Sequence, residues 1–373
     1  MRIGIMLRTL DEKGGIAVYS ENVVSELLCL DQNNHYVLFY QNAAHVGRFA
    51  QHDNVTERVV PGSNRVIWDQ VSIPYACWRE KVDVIFHPKF TAPLLAPAKA
   101  VMVVHGADWF IPEQAQYYEP LDVWLTRRSM PLYFRKCQVV ISVSQLTTNN
   151  FHSVLDLPAG KIKTIYFGPA RHFLPITDEE ALARVRAKYG LPERFIFTLT
   201  KPLGDGRKNL GHILKAYAGY HQQSDEKLGL VVGGQDAHRF RQTYNVPDTG
   251  YGADISFPGW IEQADMPAVY SLAELFLYPS NLEAFPIPVT EAMACGTPVI
   301  IFDVNGLKEI AGDAVMLVDP ADTCAITDAL SHLLSSASLR QAFSGKGLAR
   351  AQRFSWDRCA SETLAVLETV GNQ

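Results

Sequence analysis

The sequence lacks the features that would direct it to a membrane, to nucleic acid or to a disulfide-stabilised fold. No apolar run reaches the ~18 residues that a membrane-spanning helix needs. The N-terminal MRIGIML is interrupted by Arg8 and Asp11 too early for a signal peptide. Six cysteines occur without a CxxC pair, and a formal charge of -5 provides no basic surface for nucleic acid. We therefore expect a cytoplasmic globular protein with no nucleic-acid partner.

Short β-branched runs alternate with longer amphipathic segments along all 373 residues. Runs such as RIGIML, YVLFY and AVMVVH in the first half, and FIFTLT, LGLVVGG and LFLYPS in the second, are nearly continuous in apolar residues. This rhythm predicts parallel sheets covered by helices, a doubly wound α/β architecture. It breaks at Gly168, Pro169 and Pro175, where we place a domain boundary. We predict two Rossmann-like domains, residues 1–170 and 171–355, facing each other across a ligand-binding cleft.

The turn after FIFTLT carries a candidate anion site. In LTKPLGDGRKNLGHILKAY a strand ends near Thr200, a glycine-rich turn follows, and Arg207 and Lys208 begin the next helix. Backbone N–H groups and the positive end of the helix dipole attract anions there, and the cations strengthen that attraction. The pattern predicts a phosphate or pyrophosphate site, although a solvated basic turn explains the same residues.

Two glutamates flank the next predicted helix start, in NLEAFPIPVTEAMACGTPVI. Pro286 and Pro288 suit the entry and first turn of a helix, so Glu283 lies in the loop and Glu291 about one turn inside. Carboxylates repel a neighbouring phosphate, whereas each accepts hydrogen bonds from a vicinal diol. The arrangement predicts a sugar nucleotide, with one carboxylate on the ribose and the other on the sugar. Purely structural, helix-capping glutamates are the alternative.

The first half of the chain offers further candidates. Gly14 and Gly15 follow the first strand and open a helix, which lets backbone approach a bound group closely, but the full GxGxxG fingerprint of nicotinamide-binding proteins is missing. His105 ends the strand AVMVVH and is expected to point into the cleft. Residues 121–136 mix aromatic with basic side chains. They suit contact with an anionic membrane, or equally an ordinary helix with one buried face.

With LEAFPIPVTEAMACGTPVI and GRKNL read together, the sequence resembles the family 4 glycosyltransferases, which are retaining enzymes with the GT-B fold. GGIAVYSENVVSEL is similar to that family's N-terminal glycine loop and VVHGADWF to its HD-type segment. Glu283 and Glu291 match its E-x7-E pair. The resemblance implies two facing Rossmann-like domains with the active site between them, and a final helix, residues 356–373, that packs back on the first domain.

The resemblance implies a donor site in the second domain. Lys208, with Lys201 or Arg207, would bind the diphosphate of the donor. Glu291 would hold the ribose hydroxyls, and Glu283 a hydroxyl of the transferred sugar.

It also implies contacts close to the reacting carbon. His105 would lie beside the 6-position of the sugar, and Gly14 and Gly15 would approach the diphosphate or the acceptor. Ala284 and Phe285 stand where the family has the first two residues of a Gly-Phe-Gly stretch at the donor. The third residue here is a proline, which has no N–H, so one backbone hydrogen bond to the sugar is absent or replaced.

The implied reaction moves a hexosyl group, with mannosyl and GDP-mannose as first candidates, from a nucleotide diphosphate sugar to a hydroxyl of a saccharide or lipid-linked acceptor in cell-surface polysaccharide synthesis. No DxD stretch lies near the predicted donor site, so we expect no metal and no other cofactor. A sugar-nucleotide epimerase of the same architecture and a non-catalytic sugar-binding protein are the alternatives. Release of free nucleoside diphosphate distinguishes the transferase from both.

Overall fold

The computed structural model describes residues 1–12, 14–200, 208–320 and 322–373. The chain divides into two compact units, which are described separately below. Unit 1 contains Met1–Phe167 and Ser355–Gln373, and unit 2 contains Gly168–Phe354. Each unit is built on one parallel sheet with helices packed against it, so the predicted pair of parallel α/β domains is confirmed.

Unit 1 has a seven-stranded sheet in which every neighbouring pair is parallel. Its strands are β1 (Arg2–Met6), β2 (His35–Tyr40), β3 (Val55–Val59), β4 (Val84–His87), β5 (Lys99–Val104), β6 (Cys137–Ser142) and β7 (Ile162–Thr164). The spatial order is β3-β2-β1-β4-β5-β6-β7, so the direction of strand addition reverses between β1 and β4. The carboxyl ends of β1 and β4 are therefore the expected ligand-binding edge.

The helices of unit 1 come from both ends of the chain. They are α1 (Gly15–Leu30), α2 (Arg65–Ile67), α3 (Ile73–Arg79), α4 (Pro112–Ala115), α5 (Pro120–Lys136), α6 (Gln145–Val154) and the C-terminal α15 (Trp356–Asn372). A π-helical turn, Trp68–Ser72, joins α2 to α3, so residues 65–79 form one continuous helical segment. Helix α15 buries an apolar face that includes Cys359, Val366 and Val370, and packs on α1.

An aromatic cluster anchors the two places where the chain enters or leaves unit 1. The Phe167 ring stacks on Trp356 with 4.8 Å between centroids. Tyr19 of α1 packs edge-on against Phe167 at 5.2 Å and against Trp356 at 5.5 Å. Such pairs add to the stabilisation from burial alone. The cluster therefore holds the start of α15 against α1.

Unit 2 has a six-stranded parallel sheet in the order β10-β9-β8-β11-β12-β13. Its strands are β8 (Phe195–Leu199), β9 (Gly229–Gly233), β10 (Ile255–Gly259), β11 (Leu275–Tyr278), β12 (Val299–Phe302) and β13 (Met316–Val318). Its helices are α7 (Glu179–Tyr189), α8 (Leu210–Gln223), α9 (Phe240–Thr243), α10 (Met266–Leu272), α11 (Ile287–Ala294), α12 (Asn305–Ala311), α13 (Thr323–Ser335) and α14 (Ala337–Ala351).

Strand order in unit 2 reverses between β8 and β11, and this sets the position of its ligand edge. Both strands are almost entirely apolar, as expected for strands buried on both faces, and every residue of β11 is buried. Lys208, the described basic residue of the diphosphate motif, follows β8, and the glutamate motif follows β11, so both lie at one edge of the sheet. None of the described helices combines the length and apolarity needed to span a bilayer.

Candidate active site

Lys208 lies just before α8, at the carboxyl edge of β8 and β11. It is a buried lysine, only 7% exposed. Its Nζ donates hydrogen bonds to the Tyr278 hydroxyl and to Glu283 Oε1, and it lies 4.1 Å from the centroid of the Tyr278 ring. An ammonium group in this position is held by an ion pair and a cation–π contact together. The other predicted cations, Lys201 and Arg207, lie outside the described residues.

Glu283 is the acidic partner in this arrangement. Its Oε1 accepts hydrogen bonds from the Tyr278 hydroxyl at 2.9 Å and the Ser280 hydroxyl at 2.8 Å, in addition to the bond from Lys208. Three donors on one carboxylate oxygen hold the side chain in one orientation. Sequence reasoning expected Lys208 and Glu283 to hold different parts of a ligand, whereas the structure joins them directly in an ion pair.

Asn209 ties the start of α8 to the loop after β11. Its backbone adopts the left-handed conformation, with φ of 49°, which asparagine tolerates better than most residues. Its side chain donates to the Pro279 carbonyl at 2.9 Å and accepts from Asn281 Nδ2 at 3.2 Å. These bonds keep the residue after Lys208 next to the glutamate loop, so the Lys208–Glu283 pair is positioned from both sides.

Glu291 lies on α11 in a very different environment. It is 5% exposed, and its carboxylate accepts from Gln263 Nε2 at 3.2 Å and from the Tyr270 hydroxyl at 3.3 Å. Burial raises the pKa of Glu291 to about 7, while the hydrogen bonds from Gln263 and Tyr270 lower it. Within the described part of the chain, no basic side chain forms an ion pair with it. A buried carboxylate with two long bonds from neutral donors has the capacity to accept ligand hydroxyls.

The residues between the two glutamates serve mainly to shape the loop. The Phe285 ring is buried and packs edge-on against Phe354, with 5.9 Å between centroids. Its side chain therefore belongs to the protein core, while Ala284 is partly exposed. Pro286 precedes the first residue of α11, and Pro288 lies in its first turn, where a missing N–H costs no helical hydrogen bond.

The first-half candidates lie at the carboxyl edge of the unit 1 sheet. Gly14 precedes α1 with φ of 117°, and a Cβ at this position would meet nothing within 4 Å. Backbone conformation, rather than lack of space, therefore favours glycine there. Gly15 begins α1, and both glycines are exposed.

His105 follows β5 with its ring largely enclosed by protein. Its Nε2 lies 2.9 Å from the Pro88 carbonyl oxygen, and its ring packs edge-on against Tyr19 at 4.8 Å. Burial lowers the pKa of His105 to about 4, so the imidazole is neutral at physiological pH. Because a carbonyl only accepts, Nε2 carries the proton and Nδ1 the lone pair. His105 is thus suited to accept a hydrogen bond from a hydroxyl and unsuited to pair with a phosphate.

A charged cluster at the same edge of unit 1 was missed from the sequence. Arg8, after β1, bonds to both carboxylate oxygens of Asp69 at 3.4 Å and to Glu12 at 3.4 Å. Lys89, after β4, forms an ion pair with Glu12, and burial lowers the pKa of Lys89. Arg8 and Lys89 each follow a strand at the sheet reversal, and that placement was the available signal. Asp69 lies in the helical segment 65–79, and no such signal in the sequence indicated its place in this cluster.

Comparisons with known proteins find similarity to glycosyltransferases. The family described as glycosyl transferases group 1 matches residues 183–350, which lie within unit 2. The O-antigen chain mannosyltransferase B of Escherichia coli is 29% identical over 290 residues, 77% of this chain and 74% of the relative. The phosphatidyl-myo-inositol mannosyltransferase of Mycobacterium leprae is 31% identical over 167 residues, 44% of each chain. Other Escherichia coli mannosyltransferases are matched over about 28% of their own length.

The fold is shared with a solved structure across the whole chain. The Anabaena protein HepE, determined in complex with UDP-glucose, superposes with a TM-score of 0.77 at 17% identity. The alignment covers 99% of this chain and 100% of that one. At this level of identity the likeness shows the fold alone.

Proposed function

Because this chain is a group 1 glycosyltransferase with the GT-B fold, we propose that it moves a hexosyl group from a nucleotide diphosphate sugar to a hydroxyl of a saccharide or lipid-linked acceptor, with retention of anomeric configuration. The observation that carries this proposal is the cluster at the carboxyl edge of β8 and β11. There buried Lys208 pairs with Glu283 beside the start of α8, and Glu291 lies on α11, the helix that follows the Glu283 loop, all in the part of the chain that the family matches.

In this proposal Lys208 stabilises the leaving diphosphate. Negative charge grows on the diphosphate as the glycosidic bond stretches, and a fixed ammonium group in a water-poor site stabilises that charge strongly. Glu283 and Tyr278 hold the ammonium group in one position before the ligand arrives, which lowers the cost of orienting it. Lys201 or Arg207 would add a second positive charge. Because these side chains supply the charge, the transfer would need no metal ion and no other cofactor.

The two glutamates and His105 would hold hydroxyl groups. Glu291 would accept both ribose hydroxyls, whose hydrogen bonds favour the carboxylate over the carboxylic acid and so lower its pKa. Glu283 would accept a hydroxyl of the transferred sugar. His105, neutral and with a lone pair on Nδ1, would accept a hydrogen bond near the sugar's 6-position. The departing phosphate oxygen would then help to remove the proton of the acceptor hydroxyl.

GDP-mannose is the proposed donor and mannosyl the proposed transferred group. The support is the mannosyltransferase activity named for two relatives, from Escherichia coli and Mycobacterium leprae. The name of the second relative includes phosphatidyl-myo-inositol, a membrane phospholipid, which supports a lipid-linked acceptor here and peripheral contact of residues 121–136 with a membrane. UDP-glucose, present in the HepE complex, is the competing donor.

The test is an incubation of the purified full chain with GDP-mannose or UDP-glucose and a saccharide acceptor. We expect free nucleoside diphosphate and a new glycosidic bond whose anomeric configuration, read by NMR, matches that of the donor. An epimerase would isomerise the donor without releasing nucleoside diphosphate, and a binding protein would leave it intact. Either of these results, with both donors and a panel of acceptors, would overturn the proposal.

A further inference from the structure

Exposed apolar side chains are concentrated on one part of unit 1. Among the described residues, ten of the seventeen large apolar side chains that are exposed lie on three segments: residues 65–79, 92–96 and 120–136. We call these three segments the apolar face. The ten are Val66, Ile67, Val71, Tyr75, Trp78, Leu95, Leu121, Trp124, Leu125 and Leu132. Three short segments thus hold most of the exposed apolar side chains of the chain's described part.

The helical segment 65–79 has two apolar sides. Its inner side packs into the core of unit 1 with Trp68, Ile73 and Cys77. Its outer side carries Ile67, Val71, Tyr75 and Trp78, spaced by four, four and three residues, which places them in one stripe along the helix. Trp78 is 66% exposed. A helix that needs only one apolar side for its own core has a second one available for a partner.

Helix α5 repeats the pattern. Met130 and Phe134 are buried in the same core, while Leu121, Leu125 and Leu132 point outwards together with Trp124. The sequence prediction of an ordinary helix with one buried apolar face therefore accounts for only part of α5.

Polar contacts join the three segments into one surface. Arg65 forms an ion pair with Asp122 at 3.3 Å, which links the segment 65–79 to α5. Gln70 makes two 3.0 Å hydrogen bonds to the backbone of 92–96, and Lys136 donates to the same loop at 2.7 Å. The loop thus lies between the two helices, and Leu95 in it is 80% exposed.

The apolar face is basic although the chain is acidic. Residues 65–79 and 120–136 contain six basic and two acidic side chains, a net charge of +4, whereas the whole chain carries -5. The basic residues are Arg65, Arg79, Arg127, Arg128, Arg135 and Lys136. A concave site of about 730 Å³ opens beside α5, and its lining includes Tyr118, Trp124, two arginines, Arg127 and Arg128, and one acidic residue, Glu119. It offers aromatic and cationic groups to an anionic head group.

We propose that the apolar face lies on the surface of an anionic phospholipid bilayer, with its leucine, tyrosine and tryptophan side chains in the interface and its arginines on the lipid phosphates. Charge decides between this partner and a second copy of the chain. A two-fold dimer through the same face would bring one +4 surface against another, whereas an anionic membrane complements it. The docking would deliver a lipid-linked acceptor to the enzyme, and only this consequence rests on the proposed function.

The test is co-flotation of the full chain with vesicles of phosphatidylcholine, with and without phosphatidylglycerol. Wild type should bind the anionic vesicles, and added salt should weaken the binding because it screens the arginines. Arg79→Gln with Arg128→Gln should lower the partition constant about thirty-fold, since each basic group near the surface contributes about five-fold. Trp78→Ser with Trp124→Ser should lower it on both kinds of vesicle.

Matched controls lie in unit 2. Trp260→Ser removes a tryptophan that is 56% exposed, and Arg184→Gln with Arg353→Gln removes two exposed arginines. These variants should bind vesicles as wild type does, and the thermal unfolding of every variant is measured to confirm folding. Equal losses in the face variants and the controls would overturn the proposal. So would wild type that binds neither vesicle, or a dimer that the face variants convert to monomer without any lipid binding.

Nucleoside diphosphate release with a water-soluble saccharide acceptor separates the two proposals. The face variants should keep this activity, because they lie outside the donor cluster. Vesicle binding without activity would support the apolar face as a membrane surface and contradict the proposed function. Activity without vesicle binding would support the proposed function and contradict the membrane surface.

Discussion

Glu291 should make the folded protein less stable as pH rises, which is opposite to the effect of most surface carboxylates. Glu291→Gln should remove this pH dependence. Burial raises the pKa of Glu291 from an ordinary value of 4.5 to about 7. Because the folded pKa lies above the unfolded one, the folded state binds the proton more tightly. The stability that this protonation contributes is complete below about pH 4.5 and is lost as pH rises to about 7.

The magnitude follows from the size of the shift. One pKa unit corresponds to about 1.4 kcal/mol, so keeping the carboxylate ionised inside the fold costs about 3 kcal/mol in free energy of unfolding. Glutamine is neutral at every pH and has the same shape. It also places an amide N–H₂ near two donors, Gln263 and Tyr270, which we expect to cost about 1 kcal/mol. The variant should therefore be slightly less stable than wild type near pH 5 and about 2 kcal/mol more stable near pH 8.

Urea unfolding at both pH values measures this difference. Five of the six tryptophans lie in unit 1, so fluorescence follows unit 1 while far-ultraviolet circular dichroism follows both units. The transition seen by dichroism and not by fluorescence reports unit 2. Glu283→Gln is the matched control, because it breaks the buried ion pair between Glu283 and Lys208 and should destabilise at both pH values by about 3 kcal/mol. A stability difference between Glu291→Gln and wild type that does not change with pH would refute the reasoning.

Three further predictions concern turnover and packing. Lys208→Met should lower nucleoside diphosphate release by about 100-fold or more, because the group that stabilises the leaving diphosphate is lost. Lys215→Met, at an exposed position on the neighbouring helix α8, should have little effect. Ionisation of Glu291 should make kcat/KM rise through about pH 7. His105→Gln should keep this rise, since burial holds the pKa of His105 at about 4, whereas Glu291→Gln should abolish the rise. Trp356→Ala, at a side chain only 2% exposed, should destabilise unit 1 by about 4 kcal/mol in urea unfolding, whereas Trp78→Ala should be close to neutral.

Each of these has an outcome that contradicts it. Equal turnover in the Lys208 and Lys215 variants would remove Lys208 from the donor site. Loss of the inflection near pH 7 in His105→Gln would assign that ionisation to the histidine instead. Equal destabilisation by the two tryptophan variants would mean that the aromatic cluster with Phe167 does not anchor α15.

Local pattern predicts the elements that bury one face against the rest of the chain. Apolar residues recur at helical spacing in the sequence over residues 15–30, 209–222 and 321–335, which predicts three helices. The first coincides with α1, and the other two agree with α8 and α13 within two residues. The helical segment 65–79 was not predicted. Its outer stripe is apolar as well, which removes the contrast between two faces on which such predictions depend, and the π-helical turn shifts the periodicity halfway along.

The candidate site shows the same division between local and distant information. The types and approximate places of Lys208, Glu283 and Glu291 followed from strand ends and helix starts. Their partners did not, because the Lys208–Glu283 pair joins residues 75 apart and depends on β8 lying next to β11. The Arg8–Asp69 pair spans 61 residues for a similar reason. Which strand neighbours which is a property of the whole sheet, and single segments do not contain it.

The ion pair has a consequence for donor binding, because Glu283 already balances the charge of Lys208. A nucleotide sugar offers a new partner to each member, with its phosphate for Lys208 and a sugar hydroxyl for Glu283. A nucleoside diphosphate offers only the first, so it must compete with Glu283 for the lysine. Glu283→Gln removes the negative charge that competes for the lysine. The variant should therefore bind nucleoside diphosphate more tightly by calorimetry and the nucleotide sugar less tightly than wild type. Equal weakening of both ligands would instead mean that Glu283 acts only by positioning Lys208.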